Sequence, residues 1–529
     1  MRSFGVMSIL GLVTSYLYSM ILTRYYGFDG ILNYLNFSGF NGFYFYLLIL
    51  PAIGIWMLFA AFSSEKLNND YGNSRWAKLK DIKKMNIGML SNEGMVFGVF
   101  GNKFIRTKET LSVIVAAPPG TGKTTAIAIP NLLMCDWSMI VNDVKNELWE
   151  LTSNHRRKHQ KVIRFAPAEE NSYCWNPFNE LPDDFGKQLI FLNRISSIIY
   201  PTVGDPDKDH WPLSARTLFS FFALVAILGK VKDGDELTFF SIRKAILSTE
   251  DIQGFAADYI DEFEQTDNKF LNNFIEENVN SILQFSDKEF SSVVSTTKTA
   301  LEVFNDPYIQ KSTSTSDFNI KELRSSKLTI YLSSNMKDSE RVQPITRLFI
   351  ELAAVELLSD KPNSDQKVLI LADEFVKMGK MTQLIKTPDL SRGQKVAVIF
   401  IVQALSQPAE VYGAEITKTL ISTTAFKIVF TQLAQETMKE ISDLIGNKTI
   451  RKGSETKNHK LSSGGRTEST QISEEGQPLV LPQDIGSLSP DDVIIIVQGH
   501  NTTPIKAKAL AYYNFENLKE LVVFNDKNE

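Results

Sequence analysis

Cysteine and histidine are scarce in this chain: its 529 residues hold two cysteines and five histidines. Cys135 and Cys174 stand far apart and outside any CxxC spacing. That excludes a zinc ribbon or a disulfide framework and marks the soluble mass as cytoplasmic. The histidines form no HExxH pair, so a membrane-bound zinc protease is excluded. His155 and His159 are four apart but lack a glutamate after His155 and a third ligand, and they read as a solvated helix end. Positive charge is not in excess either. The formal net charge is −5, which gives no bulk attraction to nucleic acid, so any DNA-binding surface must be local. Apolar residues make up 43% and charged residues 22%, an ordinary globular balance with a small apolar surplus. The chain is longer than a single core supports, which implies at least two folded units.

Two apolar runs, Phe4 to Leu22 and Phe43 to Phe62, carry no formal charge. Each is about the length needed to cross ~30 Å of hydrocarbon. They predict a transmembrane helical hairpin over residues 1–62. Lys66, Arg75, Lys78, Lys80, Lys83 and Lys84 follow the second run, whereas the loop between the runs holds only Arg24. The positive-inside bias therefore predicts both ends of the hairpin and the bulk of the chain on the cytoplasmic side. A basic linker and approach to the soluble domain fills 63–110. The apolar stretch Leu218 to Leu228 is too short to span and predicts a buried core helix.

Leu111-Ser-Val-Ile-Val-Ala-Ala117 is a β-branched run that leads into Pro118-Pro-Gly-Thr-Gly-Lys-Thr-Thr125 and then Ala126-Ile-Ala-Ile. The pattern is strand, turn, helix. Glycine lets successive backbone N–H groups turn inward around phosphate oxygens, and the helix start adds positive potential. Pro119, Gly120, Thr121, Gly122, Lys123, Thr124 and Thr125 form the expected phosphate cradle. Lys123 is expected at the β- and γ-phosphates of ATP, and the Thr124 hydroxyl on Mg2+. Ala117 stands where the G-x-x-x-x-G-K-[ST] pattern has its first glycine.

Val368-Leu-Ile-Leu-Ala372 reads as a buried parallel strand running into Asp373-Glu374, where open α/β sheets place their ligands. Asp373 suits the magnesium shell, and Glu374, one residue on, suits polarising the attacking water. Arg392, before the strand Val396 to Val402, is a candidate for stabilising transition-state charge across a subunit boundary. Gln403, at the end of that strand, is a candidate for sensing the γ-phosphate or orienting water.

Strands are suggested at Leu111, Ser138, Val162, Leu328, Val368, Val396 and Ala425, alternating with helical patterns, which favours a parallel, doubly wound sheet. Lys123 and Asp373 are separated by a long, mainly helical stretch. The nucleotide-binding domain is thus expected over 111–180 and 324–529, interrupted by an all-α insertion at 181–323. Arg451 to Pro478 is polar and lacks apolar periodicity, which predicts a mobile loop.

With these blocks in view, the chain resembles the coupling ATPases of type IV secretion systems, the TraG/TraD-type proteins of conjugation. The resemblance is carried by Ala117 to Thr125 with Ile129-Pro130-Asn-Leu-Leu, Val141-Asn-Asp143-Val-Lys145-Asn-Glu147, Phe165-Ala-Pro167 and Trp175-Asn176-Pro177. It continues in Leu371-Ala-Asp373-Glu374-Phe375, Gly379, Arg392-Gly393, Gln403-Ala-Leu-Ser-Gln407 and Tyr412-Gly413, and more weakly in Leu481-Pro482, Val493 to Gly499 and Ala511-Tyr-Tyr-Asn514. The family usually has glycine where this chain has Asn146. The resemblance implies a RecA-like P-loop domain with an inserted all-α domain, assembled as a hexameric ring that hydrolyses ATP with Mg2+. The partners it implies are the secretion channel, relaxase–DNA complexes or effector proteins, and single- or double-stranded DNA. An FtsK-type translocase is the rival motor, but only about eighty residues follow Ile450, much of them loop and strand, where that class carries a winged-helix DNA reader. A cargo receptor that binds ATP without hydrolysis is the rival of another class, and Lys123, Asp373 and Glu374 together argue against it.

Overall fold

The computed structural model describes residue 24 and residues 70–85, 90–229, 236–263, 267–359, 362, 364–458 and 467–522. Apart from residue 24, the predicted hairpin over 1–62 lies outside them. Among the described residues no helix is long and apolar enough to cross a membrane. The chain forms two compact units, one of 73–448 with 476–529 and one of 1–72 with 449–475.

The strands are β1 (Met95–Phe100), β2 (Lys103–Thr107), β3 (Val113–Ala116), β4 (Ser138–Asp143), β5 (Lys161–Phe165), β6 (Leu328–Ser333), β7 (Val368–Ala372), β8 (Val396–Val402), β9 (Phe426–Val429), β10 (Asn447–Asn458), β11 (Thr467–Pro478), β12 (Asp492–Val497) and β13 (Ile505–Lys508). In the larger unit the sheet order is β2-β1-β13-β12-β9-β3-β8-β7-β4-β6-β5. From β9 to β5 every pairing is parallel. These seven strands are those that the apolar runs predict. Runs such as Val-Ala-Val-Ile-Phe-Ile-Val in β8 are buried at every position, because helices cover both faces. Ile114, Ile140, Ile330, Ile370 and Val398 point into one core. Val113, Val115, Met139, Val141, Leu369, Leu371, Ile399 and Ile401 point into the other.

The expected parallel sheet forms the main part of a larger, mixed one. β12, β13, β1 and β2 extend it through antiparallel pairings. β1 and β2 fall in the stretch expected as a linker. Their hairpin carries a register shift between Val96 and Gly98, and at Gly98 a Cβ would come within 2.8 Å of the Lys508 carbonyl oxygen. The bulge interrupts the two-residue alternation by which a strand is read.

Between β5 and β6 stand the helices Phe185–Ile199, Pro206–Ile227, Phe239–Ser248, Ile252–Glu262, Lys269–Leu283 and Asp287–Ala300. Leu218 to Val225 are all buried, with Phe219, Phe221 and Phe222 packed around Phe239, Phe255 and Tyr259. The core on the Ile114 face of the sheet continues into these helices.

In the smaller unit, the stretch expected as a loop is, in its described part, a two-stranded ribbon of β10 and β11. Arg451 pairs with Glu474 at 3.0 Å, and Lys452 with Glu475. Cross-strand charge pairs of this kind stabilise a ribbon without an apolar face, so no hydrophobic pattern announces it. At its base the Thr449 N–H and hydroxyl both donate to the Gly72 carbonyl.

Candidate nucleotide site

β3 delivers the phosphate loop to the carboxyl edge of the sheet, and the Ala117 N–H donates to the Val402 carbonyl at 2.9 Å. Gly120 and Gly122 have φ of +79° and +85°, the left-handed region that glycine enters without a Cβ clash. Ala117 is fully buried and is not among the residues with positive φ, so its departure from the glycine pattern carries no backbone strain. The Thr121 hydroxyl donates to the Pro118 carbonyl and the Thr125 hydroxyl to that of Gly122. A helical turn over Thr124–Ala128 runs into Ile129–Met134. Asn131 in that helix is fully buried, accepting from the Val96 N–H and donating to the Val96 and Ile127 carbonyls. It ties the loop's helix to β1. Its place in the Ile-Pro-Asn block was visible in the sequence, but its bonding partner was not.

β7 brings Asp373 opposite the loop, with the Lys123 Nζ 3.5 Å from its Oδ1. Burial raises the Asp373 carboxyl above its ordinary range, against the opposing pull of Lys123. The Asn142 side chain donates to the Asp373 carbonyl at 2.6 Å. Glu374 sits at φ +52°, ψ +41°, a conformation that costs a non-glycine residue about 1–2 kcal/mol and that recurs at functional sites. Burial pushes its carboxyl up, but Lys377 at 2.8 Å, with Lys123 and Lys145, outweighs burial and holds it below the usual glutamate value. Removing that cation should therefore raise the Glu374 pKa. In a Lys377→Met variant the acid limb of the hydrolysis–pH profile is expected to move to higher pH. An unmoved limb would assign it to another group.

Asp143 ends β4 fully buried and accepts from the Leu148 and Trp149 N–H groups. Burial, reinforced by the Asp373 charge, pushes its pKa up to about 7. The sequence placed Asp143 in a block of resemblance and gave it no role at the site. Asn146, which follows, has φ +60°, and its side chain accepts from Arg164. Asparagine tolerates this region better than other non-glycine residues, which explains glycine as the usual residue here. Asn146→Gly is expected to leave thermal stability nearly unchanged and Asn146→Val to lower it by about 1–2 kcal/mol, as read by denaturant titration.

Gln403 follows β8 beside the loop, its N–H donating to the Gln407 side chain at 2.9 Å. On the other flank of β3, Gln432 donates to the Ala116 carbonyl at 2.9 Å, while its own side-chain oxygen is buried without a partner. The signal for it was the one that marked Gln403, an amide just past a buried strand. Arg392 is not brought to this group. It lies exposed in the helix Thr387–Gln394, before β8, and β8 separates it from the loop by about 20 Å at ~3.3 Å per residue.

The lysine, the Thr124 hydroxyl, the loop's open glycine backbone and two adjacent carboxylates form a donor set that fits a nucleotide with a divalent cation.

The family described as "Type IV secretory system Conjugative DNA transfer" matches residues 73–526. Protein VirD4 of Agrobacterium fabrum (strain C58 / ATCC 33970) is 27% identical over 507 residues, covering 90% of this chain and 71% of that protein. Conjugal transfer protein TraG of Escherichia coli is 25% identical over 460 residues, covering 79% and 71%. Among solved structures, the bacterial conjugative coupling protein TrwBdeltaN70 matches with a TM-score of 0.62 at 16% identity, covering 88% of this chain and 97% of that one. Plasmid coupling protein TrwB in complex with ADP and Mg2+ matches with a TM-score of 0.60 at 16% identity, covering 87% and 99%.

Proposed function

This chain belongs to the type IV secretory system conjugative DNA transfer family, and we propose that it is a membrane-anchored coupling ATPase that hands relaxase–DNA complexes or effector proteins to the secretion channel. The observation that carries the reading is the approach of Lys123 to Asp373 within 3.5 Å, which joins two motifs set far apart in sequence. TrwB has been solved with ADP and Mg2+ and with a non-hydrolysable ATP analogue, and the same ligand class suits the donor set here. Lys123 neutralises β- and γ-phosphate charge, and the N–H groups from Gly120 to Thr125 receive phosphate oxygens. Thr124 and Asp373 would hold Mg2+, which supplies Lewis-acid polarisation of the phosphoryl oxygens. Glu374 orients and deprotonates the attacking water, while Gln403 stands where it can respond to the γ-phosphate.

The anchor is the two-span hairpin over 1–62, with the nucleotide domain on the cytoplasmic side of the inner membrane. In a hexameric ring, Arg392 serves the site of the adjacent subunit, a role that suits its distance from its own loop. Rings that mix wild-type and Arg392→Ala subunits are expected to lose hydrolysis beyond the mutant share. A loss merely proportional to that share would place Arg392 outside its neighbour's site. The reading as a whole is tested by donor-to-recipient transfer, scoring mobilised DNA and a tagged effector separately. Transfer of both cargoes undiminished in cells lacking the protein would overturn it.

A further inference from the structure

The larger unit begins with a basic face that the nucleotide site does not use. Arg75, Lys78, Lys80, Lys83 and Lys84 are all exposed, in a chain whose net charge is −5. Asp81 is the one acid among them, and Arg75 takes it with two hydrogen bonds of 2.7 and 2.9 Å. Among the described residues, none of the four lysines has an ion-pair partner. They are uncompensated charge on a solvated face.

This face is firmly mounted. The Ser74 N–H donates to the Asn447 carbonyl and its hydroxyl to that of Ile445, while the Arg75 and Ala77 N–H groups donate to the Thr502 and Pro504 carbonyls. The segment is thus held from both sides by the nucleotide domain. It then turns into the helix Leu79–Lys84, where the Asp81 carboxylate also accepts from the Lys78 N–H. Ile82 and Met85 are buried beneath. At ~100° per residue, Lys80 and Lys84 fall on the side away from Ile82 and Lys83 on its flank.

We propose that this face binds anionic phospholipid headgroups at the cytoplasmic surface of the membrane and so holds the nucleotide domain at a set orientation to the bilayer. Two features favour a lipid surface as the occupant. The lysines begin sixteen residues after the second apolar run, which ends at Phe62, so a two-span anchor keeps them near the headgroups. A cluster of four or more unpaired cations in that position is attracted by an anionic leaflet within a Debye length. The inference rests on the anchored reading and adds to it a lipid class and a contact surface.

The test is lysine acetylation, read by mass spectrometry on the full chain in nanodiscs of phosphatidylcholine alone or with phosphatidylglycerol. Lys78, Lys80, Lys83 and Lys84 are expected to react roughly fivefold more slowly in the phosphatidylglycerol discs, with the difference lost at about 0.5 M salt. Lys208 and Lys418, exposed elsewhere, should react equally in both. Equal rates at the four lysines in the two lipids would overturn the proposal and leave the cluster as a topology signal alone. Protection by added DNA in place of phosphatidylglycerol would overturn it in favour of a nucleic-acid contact. A chain that fails to remain with either disc would instead remove the two-span anchor, and with it the premise.

Discussion

Lys123→Ala is expected to abolish hydrolysis and cargo transfer together. The lysine belongs to the loop and its ammonium lies 3.5 Å from Asp373, so its removal takes away a charge aimed at the developing phosphoryl charge. Loss of one such electrostatic donor typically costs ~10²–10³ in rate. The loss here should exceed that, because phosphate affinity falls as well and leaves Asp373 with a neighbouring carboxylate and no opposing cation. Folding should survive, since the side chain lies at the edge of the sheet and not in its core. The measurement pairs steady-state hydrolysis by the purified protein with transfer scored separately for DNA and for a tagged effector. Undiminished transfer from a normally expressed variant would remove the motor role.

Glu374→Gln should separate binding from chemistry. The amide keeps the size and the position of Glu374 but cannot take a proton, and a positioned general base contributes about 10²–10⁴. Nucleotide affinity is expected to stay within a fewfold of wild type while turnover falls by that factor. The variant should therefore hold nucleotide unhydrolysed and stall transfer. An equal loss of affinity would instead make Glu374 a structural residue, its left-handed backbone serving only to turn the chain out of β7. The Lys377→Met profile bears on the same carboxylate from the other side, since it leaves the base present and changes only the charge that holds its pKa down.

Much of the architecture was legible because its physical cause is local. A parallel strand covered on both faces must be apolar at every position, so β3, β7 and β8 stand out as unbroken runs. A phosphate loop needs glycine where φ is positive and a lysine and threonine just beyond, and Gly120, Gly122, Lys123 and Thr124 meet that need at fixed spacing. The carboxylates end a strand because ligands gather at the carboxyl edge of such sheets.

What the chain alone did not disclose depends on partners remote in sequence. The antiparallel extension of the sheet is set by β12 and β13, which lie at the far end of the chain and pair with β9 and β1. A bulge at Gly98 conceals one of those strands from its own periodicity. The β10–β11 ribbon carries charge pairs between Arg451 and Glu474 and between Lys452 and Glu475, and its polar sequence gives hydropathy no trace of it. Asn131 and Gln432 looked like ordinary amides until their carbonyl partners on β1 and β3 came within bonding distance. The Asp143 carboxyl is pushed up to about 7 chiefly by burial, with the nearby Asp373 and Glu147 charges adding to it. The sequence by itself determined which residues form the candidate phosphate loop and which strands are covered on both sides, since spacing and hydropathy are properties of neighbours along the chain. Only the tertiary structure decided how those strands are extended at their edge, which amides brace the loop and which end of the sheet Arg392 occupies, because each depends on a distance between residues that the chain order leaves free.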